Sequence, residues 1–328
     1  MSSDTKDKSV STKRETNWLR VLFLIQTNIC GIIALFYLLK FGCMWKTFFY
    51  TILLVFLGVI GKTAGAHRLW AHRCYTASTG LKVFLMLCQT SVGNGTIYEW
   101  VRWHRLHHTF FRTELDPYNP SKGFLYSHFL GSLADLSPAQ EQALKEIDLS
   151  DLENDNVVMF QKKWFYLLYA LFTLLLPINA PGEYWGENMV TSFIIIGFFK
   201  YFLVLNLTWL IHSATHIWNL KSGEKYPMDS NLVFIIVKTY WLSYHYLTPW
   251  DYQIGEFGKY GNDMVSAFIR VCAALELAND LKTVDSATVR RALVKSVKED
   301  KNITECLLEE SEEVTLPSNH YLDPKKLY

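Results

Sequence analysis

The chain has 328 residues, half of them hydrophobic and 15% aromatic, with a formal net charge of +1. That balance excludes an electrostatic nucleic-acid binder, since no basic stripe is present. The six cysteines (30, 43, 74, 88, 272 and 306) have no paired spacing, which argues against a disulfide framework or a cysteine-type zinc site.

Residues 1–16 are polar and read as a mobile tail. Val21 to Leu39 carries no charge, and its 19 residues suffice for a membrane-spanning helix, which needs about 20. Phe48 to Gly61 forms a second apolar run, and its helix is expected to continue past Lys62 into water. The second pair of runs is Phe165–Ile178, where Pro177 can end or kink a helix, and Met189–Ile211, interrupted by Lys200. A loop is expected at 179–188. The fold expected is thus an all-α integral membrane protein with four transmembrane helices in two hairpins (spans 21–39, 48–61, 165–178 and 189–211). The segments 62–163 and 212–328 share one side with both termini, and their excess of Lys and Arg marks that side as cytosolic.

Eight of the ten histidines fall into four groups on that side. The densest is Glu99-Trp-Val-Arg-Trp-His-Arg-Leu-His-His108, where His104 shares a helix face with His107 and His108. His67 and His72 follow the second span; five apart on an α-helix they stand about 140° around the axis, flanking a site rather than chelating one ion. His212 and His216, four apart, follow the fourth span on one face. The fourth group is His245, alone in Trp241-Leu-Ser-Tyr-His-Tyr-Leu-Thr-Pro-Trp250. Imidazole suits iron, zinc and copper, and more ligands than one tetrahedral ion can use suggest two ions. A two-metal site beside a membrane suits O2-dependent oxidation of a lipid C–H bond.

The stretches GAHRLWAHR at 65–73 and YEWVRWHRLHHTF at 98–110 resemble the first two histidine boxes of the membrane acyl-CoA (stearoyl-CoA) desaturase family. LNLTWLIHSATHIW at 205–218 and PWDYQIGEFGKYG at 249–261 extend the likeness, which runs from about Trp18 to Lys282. The resemblance implies a desaturase domain over 17–283, in which a cytosolic helical cap holds a histidine-rich dimetal site, followed by a cytosolic C-terminal helix and tail over 284–328. It implies a di-iron centre with ligands His67, His72, His104, His107, His108, His216 and His245, with His212 as a provisional addition where the family has Asn. The implied reaction uses O2, with electrons from cytochrome b5 and its reductase, to place a cis double bond (delta-9 type) in a saturated fatty acyl-CoA. Trp100, Arg102 and Trp209 match substrate-binding positions. The third box departs: Leu242 and Tyr246 stand where the family has histidines. The acidic partner of Arg102 is replaced by Trp103, and a CoA-binding Arg-Lys pair by Asp135-Leu136. The alternative is a catalytically impaired paralogue that binds a lipid or a partner. Lys325 and Lys326, close to the end of the chain, resemble a retrieval signal of endoplasmic-reticulum membrane proteins, the expected location.

Overall fold

The computed structural model describes residues 11–213, 245, 249–253, 263–283, 286–301, 306 and 309–310. Four helices are long and apolar enough to cross a membrane: α1 (Trp18–Phe41), α2 (Trp45–Ala71), and two further ones at Asn156–Trp185 and Met189–Ser213. Between α2 and the third span lie α3 (Thr79–Thr90) and α4 (Ile97–Thr109). The third and fourth spans are α5 and α6; α7 (Met264–Ala274) and α8 (Ser286–Glu299) follow. Four such helices make this a multi-pass membrane protein.

α1 begins where the Asn17 side chain accepts from Arg20 N–H and ends at Gly42, whose φ of 69° suits glycine at a helix stop. Leu22, Ile29, Ile33, Phe36 and Leu39 all face outward, the pattern of a helix that meets lipid rather than a protein core. On the opposite side a Cβ at Gly31 would run into Phe202, so α1 and α6 pack backbone-close there. α2 is different. Its inner end approaches α3 so closely that a Cβ at Gly61 would strike the backbone of Cys88 and Gln89.

Three expectations are corrected. The second helix does not run into water beyond Lys62: Gly61–Ala71 continues it as a π-helix with every residue buried, Lys62 included. The expected loop at 179–188 is helical as far as Trp185, and Gly186 in the left-handed region (φ 74°) ends it. The π-helical stretch Ala170–Leu175 just before Pro177 provides the local adjustment that lets a helix pass a residue without an N–H. Residues 11–16, read as part of the tail, lie against the cap. Arg14 donates to the carbonyls of Pro117, Ala134 and Asp135, and Thr16 bridges Ala134.

A cap of short helices between residues 120 and 153 sits with α4 over the inner ends of α2 and α6. It is tied down by charge. Arg105 of α4 donates to the Trp70 and Ala71 carbonyls, the unpaired end of the π-helix, and to both oxygens of Asp151. Burial pushes the Asp151 carboxyl up, but hydrogen bonds from Arg105 and Arg73 outweigh it and hold the pKa at about 2. The later chain is clamped by a two-residue antiparallel pairing of Thr76–Ala77 with Ala278–Asn279. The wholly buried Arg68 reinforces it, reaching Ser266 at 3.0 Å and Asp263 at 3.3 Å.

Candidate metal centre

Five buried histidines, His67, His72, His104, His108 and His245, offer ring nitrogens that all lie within 4.8 Å of one another. Their delivery depends on local helix type. On α4 the spacings of three and four put His104, His107 and His108 on the buried face, as expected. On α2 the expectation of rings 140° apart is overturned. The helix is π-wound there, His72 N–H donates to His67 O at 3.0 Å, and residues five apart come into register. The His67 and His72 rings are therefore 4.7 Å apart and belong to one group. His245 joins from the far end of the chain, its Nε2 3.1 Å from His67 Nε2.

The donor set fits a metal. His72 Nε2 and His104 Nε2 are 2.8 Å apart. Nitrogens bound to one ion at about 2.1 Å and a right angle stand about 3 Å apart, so these pairs already have the spacing of adjacent ligands. Neutral imidazoles are required, and burial supplies them. Desolvation first, then the neighbouring rings, lowers the pKa of His72, His104, His108 and His245 well below the usual 6.5.

His107 lies beside the five. Its Nδ1 is 2.6 Å from the buried Asp116 carboxylate, the contact that fixes a ligating ring's tautomer and leaves Nε2 for an ion. Asp116 escaped the sequence reading; the signal was an acid nine residues after His107, in a loop with no periodicity to flag it. His212 is buried but outside the five: its Nε2 meets His104 Nδ1 at 3.2 Å, and its ring stacks on Tyr118 at 3.8 Å. His216, Leu242 and Tyr246 lie outside the described residues.

Of the expected substrate-binding positions, Trp100 is buried and stacks on His104 at 4.6 Å. Trp209 is buried against His128 and Phe129. Arg102 is at the surface, paired with Glu99 at 2.9 Å. His128, which the sequence reading left outside the groups, is buried with Nδ1 2.8 Å from Ser213 Oγ.

Apolar spans beneath a capped, buried polyhistidine cluster define a helical membrane protein with a donor group that could hold a metal at one end of its spans. No family model matches the chain. It is similar to the acyl-CoA Delta-12 desaturase of Tribolium castaneum, 36% identical over 85% of this chain and 79% of the relative. The acyl-CoA Delta-9 desaturase of Acheta domesticus is 36% identical over 85% and 78%, and the human stearoyl-CoA desaturase 35% over 87% and 79%. The chain belongs to the acyl-CoA desaturase family.

Proposed function

We propose that the protein is an O2-dependent fatty acyl-CoA desaturase that introduces a cis double bond, of the delta-9 type, into a saturated acyl chain. The observation that carries this reading is the five-histidine group, buried and neutral, at the inner end of apolar spans. Two bound irons would supply the oxidising chemistry, with electrons from cytochrome b5 and its reductase, so that –CH2–CH2–, O2, two electrons and two protons give –CH=CH– and two waters.

The chain's own residues divide the remaining work. His67, His72, His104, His108 and His245 hold the metal. His107, oriented by Asp116, and His216 complete the shell, and His212 acts on it through His104. Trp100 lies against the cluster and walls an acyl chain, with Trp209 further along the passage. Arg102 serves the CoA portion from the surface. The desaturase domain is assigned to 17–283 and a cytosolic tail to 284–328, in the endoplasmic-reticulum membrane with both termini cytosolic.

A second reading rests on Leu242 and Tyr246, which remove two histidines from the family's third box. It makes the protein an impaired paralogue that binds lipid or a partner. Expression in a desaturase-deficient yeast, with analysis of the fatty acids made and of iron per purified chain, separates the two. New monounsaturated chains with close to two irons support the enzyme. An unchanged profile with one iron or none supports the paralogue.

A further inference from the structure

Lys62 is a fully buried lysine that the metal reading does not use. It is 1% exposed, and its Nζ has no hydrogen-bond partner among the described residues. Its Nζ lies 4.0 Å from the centre of the Trp100 ring. Trp100 is also bordered by His212, at 5.9 Å between ring centres, and the buried Nδ1 of His212 likewise lacks a partner.

A cation–π contact offsets only part of the cost of taking an ammonium out of water. The surroundings make that cost worse. The five-histidine group brings neutral donors and no carboxylate, so a bound metal would add positive charge that, among the described residues, only Asp116 offsets, through His107. Among the described residues the fully buried acids are engaged elsewhere: Asp116 with His107, Asp263 with Arg68, and Asp251 with the Gln253 backbone. A buried cation beside a cation-binding cluster calls for an anion that the described residues do not supply.

We propose that Lys62, Trp100 and Nδ1 of His212 frame a binding site for a carboxylate beside the metal centre. An ammonium and an imidazole N–H both donate, and two carboxylate oxygens can accept one bond from each. Trp100 gives the site an apolar wall. The carboxylate comes from a free fatty acid or from a small carboxylate such as acetate. This inference rests on the reading that the interior receives an acyl chain.

The test uses the full-length, metal-loaded protein in detergent. Binding of radiolabelled palmitate and of cetyl alcohol is compared in wild type, Lys62→Ile and Lys62→Arg, with metal content measured to confirm an intact centre. Palmitate affinity is expected to fall about tenfold or more in Lys62→Ile, as for a lost charge-assisted hydrogen bond. Lys62→Arg should keep most of it, and cetyl alcohol should bind all three alike. If acetate raises the thermal midpoint of wild type but not of Lys62→Ile, while palmitate binds neither, the site is a small-carboxylate site. Palmitate and acetate responses that are the same in wild type and Lys62→Ile overturn the proposal. The readout needs no turnover. Desaturation in yeast without charge-selective binding removes this site alone, and charge-selective binding without desaturation removes the enzyme reading alone.

Discussion

The two histidine-bearing helices solve one problem with different backbones. α4 is an ordinary α-helix whose spacings of three and four already share a face, so its three rings need no help from the fold. The inner end of α2 carries a spacing of five, which an α-helix would splay, and it is wound as a π-helix that brings His67 and His72 together. The two ends are then locked by opposite means. The π-turn is held from behind by Arg68 reaching Asp263 and Ser266, while the α4 ring His107 is held directly by Asp116. A spacing that looks wrong for chelation on an α-helix is met here by a π-helix, a form frequent at functional sites.

The sharpest way to break this contrast is behind the π-turn. Asp263→Asn removes the carboxylate that stands 3.3 Å from the fully buried Arg68 guanidinium, and should cost up to about 3–5 kcal/mol of stability in detergent-solubilised protein. A thermal midpoint equal to wild type would show that the π-turn needs no electrostatic anchor. Next, His72→Ala and His104→Ala should each lower metal affinity by at least the roughly 100-fold upper figure for an outer-sphere partner. Equal losses measured by metal analysis would place the π-helical and α-helical rings on the same footing; a loss from one alone would separate them. On the α4 side, Asp116→Asn keeps the shape but weakens the hold on His107, and should cost about 10–100-fold in metal affinity.

pH tests both helices together. His72, His104, His108 and His245 have pKa values well below 6.5, chiefly from desolvation, so below pH 6.5 the unfolded chain binds protons that the folded chain refuses. Stability of metal-free protein is therefore full above pH 6.5. It should fall as pH drops below that value, by up to about 1.4 kcal/mol per unit for each ring. A flat profile from pH 7 to 5 would mean that the rings are not held neutral. The smallest effect is expected at the surface. Glu99→Ala removes the half-exposed partner of Arg102 and should change stability by less than about 1 kcal/mol, as differential scanning would read.

The sequence by itself determined what is local and periodic. Apolar runs of span length gave the four membrane helices to within a few residues at the last one, Met189–Ser213 against 189–211. The α4 trio was legible because three- and four-residue spacings read directly as one face. His245 stood out only as a lone fourth group that no periodicity supports, and the family resemblance made it a ligand.

Tertiary structure decided the rest, because it concerns groups far apart in the chain or helices that depart from the α period. The π-winding that joins His67 to His72 is imposed where α2 meets α3 and α4, and it turned a predicted pair of flanking rings into members of one group. Lys62 looked like a residue at the water boundary because its charge is visible in sequence, and the helices packed over it are not. Asp116 became a partner of His107 only when the loop after α4 folded back. His245 met His67 across 178 residues of chain. Hydropathy and spacing report what one segment can do alone; burial of a charge and convergence of ligands are properties of several segments at once, and only their packing fixes them.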